Sequence, residues 1–206
     1  MSIHISISRP ILPCAAVLFL LICLSPSSSV AQEGKGLSFS NAKGHWTVLG
    51  GYGNTHTNFG DTQDRVQVAD LIFQYGQFLT GEGGRSWYRV RHEMMVELPL
   101  SVVYDPEGAI MAGVNLLACW DFTGFEKIVP YVFAGGGLVY TNLDLDGLGR
   151  ELNGNYQTGT GIHYYMDKNT ILNFNYRLHH ISNANTADPN DPLNSSKFLV
   201  GISFLR

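Results

Sequence analysis

Eight stretches of this chain alternate apolar and polar residues with a period of two, and no helical stripe with caps stands among them. Period two sends successive side chains to opposite faces of an extended backbone, so each stretch reads as a strand with two unlike faces. The segments are residues 46–55, 65–78, 87–104, 110–122, 127–141, 154–165, 170–182 and 196–205. Turn-rich pieces such as "TGEGGRS", "YDPEGA" and "MDKN" separate them. In the seventh segment Leu172, Phe174, Tyr176 and Leu178 share one face, and Asn173, Asn175, Arg177 and His179 the other. In the third, Tyr88, Val90, His92, Met94, Val96 and Leu98 oppose Arg89, Arg91, Glu93 and Glu97. In the eighth, Phe198, Val200, Ile202 and Phe204 alternate with small or mixed residues.

Such a sheet can bury its apolar face in a soluble sandwich or lipocalin-like barrel, or turn it to lipid. The N-terminus bears on the choice. Arg9 precedes the apolar run "ILPCAAVLFLLICL" and then "SPSSSVAQ". A weakly basic start, a short apolar core and a small-x-small exit at Ser29 and Ala31 describe a secretory signal, with cleavage expected after Ala31. The run is too short to span a bilayer comfortably, which takes roughly 20 apolar residues. Residues 1–31 are therefore expected to leave, and residues 32–206 to form one domain. Cys14 and Cys23 leave with the signal, so Cys119 has no internal disulfide partner and the fold must rest on backbone pairing and packing.

Three features favour lipid: export, polar faces carrying both charge signs, and aromatics such as Trp46, Trp87, Trp120 and Tyr140 near segment ends. Opposite charges can pair inside a barrel, aromatics can form interfacial girdles, and an even strand count closes the sheet without an edge. The fold expected is an all-β, eight-stranded antiparallel outer-membrane barrel. Glycine accounts for 23 of 206 residues, above the usual ~7%, and is spread through the strands, where it relieves crowding or bends the chain. The formal net charge is -4 with no basic block, which argues against nucleic acid as a partner. Arg and Glu on one inner face argue for a plugged interior over a narrow pore.

In such barrels the termini face the periplasm, and odd-numbered strands run outward. The seventh segment then ends at the extracellular rim with His180 and Ser182, which continue the apolar row of Leu172 to Leu178 and should face lipid. The long connections 142–153 and 183–195 fall on the same side, whereas 105–109 is short for it. Polar side chains pointing into lipid need a reason. Period two brings His180 and Ser182 to one face, where imidazole can take the hydroxyl proton and turn serine into a nucleophile.

Other motifs carry less. "RHEMMV" begins an HExxH zinc pattern, but Val96 stands where the second histidine belongs. "NLDLDG" resembles a calcium loop, but its first position is Asn142 and its twelfth Asn153, where a bidentate glutamate is needed. "FAGGGLVY" has neither the following helix nor the lysine of a phosphate loop.

"YRLHHISNANTADPN" resembles the signature of the PagL-type lipid A 3-O-deacylases, and the resemblance continues upstream through "PYVFAGGGLVYTN" and "GNYQTGTGIHYYMDKNTILNFNYR". It implies an eight-stranded outer-membrane barrel that hydrolyses the ester-linked 3-hydroxyacyl chain at position 3 of lipid A in the outer leaflet. It implies His180 as catalytic base, Ser182 as nucleophile, and Asn190 with Asn183 as the oxyanion side. The acidic member of the family's triad falls on Asn194. An asparagine can orient a histidine but supplies no charge to stabilise the imidazolium. Asp188 or Asp191 could substitute in a differently arranged loop. The implied partners are lipopolysaccharide and membrane lipid, with no metal and no organic cofactor. Oligomeric state stays open, a dimer among the options. The competing reading is a non-catalytic barrel with a structural or lipid-binding role.

Overall fold

The computed structural model describes residues 41–206 except 58, 126 and 146. The export signal read in residues 1–31 lies outside the described residues. Eight antiparallel strands follow one another: β1 (Gly44–Thr55), β2 (Gln67–Phe78), β3 (Val90–Asp105), β4 (Ala109–Phe122), β5 (Ile128–Thr141), β6 (Leu152–Tyr165), β7 (Thr170–Ser182) and β8 (Leu193–Leu205). Each pairs with its sequence neighbours, and β1 pairs with β8 to close the barrel. Closure removes both sheet edges, as a lipid-facing sheet requires.

The alternation read from the sequence becomes the inside and the outside. In β7, Asn173, Asn175, Arg177 and His179 are buried, whereas Phe174, Tyr176 and Leu178 are exposed. In β3, Arg91, Glu93 and Glu97 point inward, and Val96, Leu98, Leu100 and Val102 outward. Strands sit where expected, with ends that shift for local reasons. Residues 86–88 form a 3-10 turn, so β3 starts at Val90. β8 starts at Leu193, three residues earlier than the pattern marks it. Asn194 and Ser195 are both polar and show no alternation, but the ladder with β7 holds them in the strand.

The interior is filled in layers. At the end carrying the chain terminus, Ala42, Phe78, Val129, Ile171 and Leu205 form an apolar plug. In the middle, Arg177 Nη1 donates to Glu97 Oε2 at 3.0 Å and to Gln157 Oε1 at 2.9 Å, with both ionic side chains almost wholly buried. Lys197 Nζ donates to Asp70 Oδ1 at 2.9 Å one layer further on. At the opposite end Val66, Val103, Met111, Val139, Ile181 and Leu193 pack against Leu143 and Leu148, which fold in from the 142–151 connection. The barrel is a packed polar core between two apolar caps. Glycine serves this packing: a Cβ at Gly159 or Gly161 would strike the Phe133 and Tyr131 rings.

The connections divide unevenly. Residues 56–66, 142–151 and 183–192 make long connections at the end away from the termini, beside the short one at 106–108. The terminus end has short turns at 123–127 and 166–169 and one longer connection, 79–89, pinned by the Gly83–Val90 bridge.

Candidate active site

Among the described residues, no strand places an Asp, Glu, Lys or Arg on its outward face. At the long-loop end, the outward face of β3 to β6 stays apolar or aromatic, with Val102, Tyr104, Ile110, Tyr140 and Leu152. The arc from β7 through β8 to β2 differs. It presents His180, Ser182, Asn194, Ser196, Asn54 and Gln67. This is the one polar arc on that rim among the described residues, and it contains the His/Ser pair singled out in the sequence.

β7 supplies His180 and Ser182, two positions apart on its outward face and about 6.6 Å apart along the strand. β8 brings Asn194 directly opposite His180 in the ladder. His180 Nδ1 lies 2.7 Å from Asn194 Oδ1. The amide's orientation is fixed from behind. Asn194 Nδ2 donates to the Phe59 carbonyl at 3.1 Å and to Thr62 Oγ1 at 2.8 Å, and the Asn194 backbone N–H also reaches Thr62 Oγ1, at 2.9 Å. A carbonyl only accepts, so the NH2 group must face Phe59 and the oxygen must face the imidazole. His180 therefore carries its proton on Nδ1 and keeps the Nε2 lone pair available. The Tyr156 ring stacks on the imidazole, with centroids 4.3 Å apart and planes 20° apart.

The structure brings together His180 and Asn194; neither Asp188 nor Asp191 makes an ion pair with His180. Asp191 instead donates its backbone N–H to the Gly147 carbonyl at 2.7 Å, tying the 183–192 and 142–151 connections. Asn183 is buried, and its Nδ2 donates to the carbonyls of Leu148, Ala187 and Pro189. Its side chain braces the loop and points away from the Ser182 face. Asn190 Oδ1 accepts the Asn183 backbone N–H at 2.9 Å, and its Nδ2 donates to the exposed Asn185 Oδ1 at 2.8 Å.

Sequence reading missed Thr62, Phe59, Tyr156, His56 and Ser196. His56 Nε2 lies 2.7 Å from Ser196 Oγ, which lies 3.0 Å from the Tyr176 hydroxyl. The first connection carries no periodic signal, and its contact with Asn194 spans 132 positions. Only Tyr156 had a legible cue, as an outward aromatic one strand from β7. Below the imidazole, His56, Phe59, Tyr156, Thr158, Leu178 and Asn194 line a cleft of about 160 Å³. Gly154 lies directly opposite Ser182 in the β6–β7 ladder, and a Cβ there would meet the Ser182 carbonyl oxygen at 3.7 Å, an ordinary contact.

A hydroxyl and a correctly tautomerised imidazole, facing lipid beside an open trough, suit attack on an ester whose acyl chain lies in the bilayer. Known outer-membrane barrels share the fold. The outer membrane enzyme PagL shares the fold at 16% identity and a TM-score of 0.52, over 76% of this chain and 97% of that one. Neisserial surface protein A shares it at 15% identity and a TM-score of 0.59, over 79% and 97%. No curated protein sequence matches significantly. The family model for the lipid A 3-O-deacylase (PagL) matches residues 77–203, which reaches well upstream of the stretches whose resemblance is visible by eye. The chain belongs to the lipid A 3-O-deacylase (PagL) family, barrels of the bacterial outer membrane.

Proposed function

We propose that this barrel removes the 3-O-linked hydroxyacyl chain of lipid A, with Ser182 as nucleophile, His180 as base and Asn194 as the group that orients it. The observation that carries the reading is the locked Asn194 amide, which puts the imidazole proton on Nδ1 and leaves His180 Nε2 as an acceptor on the strand face that also carries Ser182. An asparagine whose NH2 faced the imidazole would impose the wrong tautomer, the fault that makes carboxylate-to-amide changes so damaging in serine hydrolases. Phe59 and Thr62 prevent that fault here.

Ser182 Oγ attacks the acyl carbonyl as its proton passes to His180 Nε2. The tetrahedral oxyanion is held by the Asn190 Nδ2 donor, which exchanges the exposed Asn185 oxygen for the substrate. Asn183 acts as a positioning residue, through the loop carbonyls it ties and through its backbone bond to Asn190. Collapse expels the sugar 3-alkoxide, which takes the proton back from His180. Water, activated by the same imidazole, then releases the 3-hydroxy fatty acid and regenerates Ser182. The acyl chain lies in the cleft over Leu178 and Thr158, so the substrate stays in the outer leaflet and never enters the barrel. Export by a signal cleaved after Ala31 completes the reading.

The test is mass spectrometry of lipid A from outer membranes carrying the wild type or Ser182→Ala. Loss of the mass of one 3-hydroxyacyl group with the wild type alone is expected. Equal deacylation by the variant would sink the mechanism, and no deacylation by either would favour the non-catalytic reading.

A further inference from the structure

The outward site leaves an interior cluster unused. Between the Arg177–Glu97 layer and the apolar plug at the terminus end, five metal-ligating side chains converge from four strands. They are His45 of β1, Glu93 of β3, Cys119 and Asp121 of β4, and His163 of β6. All five are at most 5% exposed. The donor atoms of Glu93, Cys119 and Asp121 lie within 4.8 Å of one another.

Two spacings resemble edges of one coordination sphere. Cys119 Sγ is 3.7 Å from Asp121 Oδ1, and His163 Nε2 is 3.5 Å from the same oxygen. Tetrahedral zinc with bonds of about 2.0–2.3 Å sets its ligands roughly 3.3–3.6 Å apart. The His45 Nε2 to Glu93 Oε1 distance is 2.7 Å, an ion-pair contact that makes His45 an outer partner of Glu93. Its Nδ1 lies 2.8 Å from Thr47 Oγ1, and Thr47 is bonded to Ser203, so the ring is held from behind. The His163 ring stacks on Tyr131, centroids 4.2 Å apart. The Tyr131 hydroxyl accepts from Asn175 at 2.9 Å. Such outer contacts orient metal ligands.

Two further observations point to a cation. Glu93 Oε2 and Asp121 Oδ2 are fully buried with no hydrogen-bond partner. Carboxylate oxygens left that way are costly, and two neighbouring carboxylates repel. Gly76 backs onto the cluster: a Cβ there would occupy the space of the Glu93 carboxylate and the His45 ring.

We infer that the barrel interior holds a structural divalent metal of the zinc class, bound by Glu93, Cys119 and Asp121, with His163 drawn in from beside Asp121 to complete the sphere and His45 paired with Glu93. The dication offsets the two carboxylates and the thiolate, and the thiol proton of Cys119 leaves to solvent as the metal binds. Both barrel ends are capped, so the metal enters as the strands close. It replaces the staple that a lone cysteine cannot form by disulfide.

Cobalt(II) reads this out. The full chain, folded in detergent with cobalt and freed of excess ion, should carry one metal per chain by elemental analysis and show a thiolate-to-cobalt charge-transfer band. Cys119→Ser should abolish the band, and Asp121→Asn should weaken binding at least 10-fold, about the loss a disrupted metal site shows. His45→Gln should weaken it less. Each variant's folding is checked by heat-modifiable gel mobility, and the wild-type result stands without them. A folded wild-type barrel with no retained cobalt or zinc, or a band that persists in Cys119→Ser, would overturn the site and leave a closed network of ion pairs.

Discussion

Among the described residues, two histidine clusters lie on opposite sides of the barrel wall. His180 sits on the outward face beside Ser182, with a neutral partner, Asn194, and an open cleft below. His45 and His163 sit inside, between carboxylates, under an apolar plug. The residue type is shared; the surroundings differ in charge and access. An imidazole becomes a base when its tautomer is fixed and one nitrogen is left available. It becomes a structural element when its reactive nitrogen is committed to a carboxylate and water is shut out. On the proposed reading the outward cluster does the chemistry, and the inward one holds the barrel together.

The sharpest way to break this division is at the outward cluster. Ser182→Ala should lower the rate of lipid A deacylation by about 10⁶-fold, the scale on which a serine hydrolase loses activity when the nucleophile goes. His180→Ala should cost as much, and the double variant hardly more, because the two act as one unit. Heat-modifiable mobility should not change. Losses that multiplied in the double variant would show that the residues work independently.

Next comes the interior. Arg177→Met leaves Glu97 buried and unpaired, with both side chains at most 2% exposed. Breaking such a pair typically costs about 3–5 kcal/mol, whereas replacing both partners with apolar residues is often neutral. Denaturant unfolding in detergent should show a large loss for Arg177→Met and substantial recovery for Arg177→Met with Glu97→Leu. Activity per folded molecule should stay near wild type in both. A fall in that activity would tie the inner layer to the outward site.

Thr62→Val tests the lock itself. The change removes the hydroxyl that receives both the Asn194 amide and its backbone N–H, while keeping the shape. The loss expected is about 10- to 100-fold in kcat, equivalent to about 1–3 kcal/mol for lost, partly buried hydrogen bonds, with KM little changed. Asn194→Ala should match it. If Asn194→Ala were fully active, the imidazole would need no orienting partner.

These residues also show how far the sequence could be read. The period-two pattern located all eight strands, told inside from outside, and placed His180 and Ser182 on the lipid face, because each of those properties depends on near neighbours in the chain. The motif likewise pointed to Asn194 by counting. What it could not carry was the first connection, where Thr62 and Phe59 fix the amide from 132 and 135 positions away. Nor could it carry the interior cluster, whose five members are spread over four strands and become neighbours only through register. The start of β8 was misplaced for the same reason: Asn194 and Ser195 belong to the strand because β7 pairs with them, not because their own side chains alternate.

The smallest effect belongs to the turn 166–169 at the terminus end, far from both clusters. Asp167 Oδ1 accepts the backbone N–H groups of Asn169 at 2.9 Å and Thr170 at 2.8 Å, a side-chain turn that sets the β6–β7 register. These bonds, chiefly that from Asn169, hold the Asp167 carboxyl below the usual carboxylate range. A depressed pKa means that the folded state favours the ionised form. The stabilisation is therefore complete above the unfolded pKa of about 3.9 and is lost as pH falls through the lower folded value. The group is largely exposed, so water screens most of it, and Asp167→Ala should cost less than about 1 kcal/mol at neutral pH. The gap between variant and wild type should close in unfolding curves taken below that range. Because the turn touches neither cluster, both deacylation and cobalt binding should be unchanged. A loss of either would mean that register set at the terminus end is transmitted along β7 to His180, and the two sides of the wall would then not be separable.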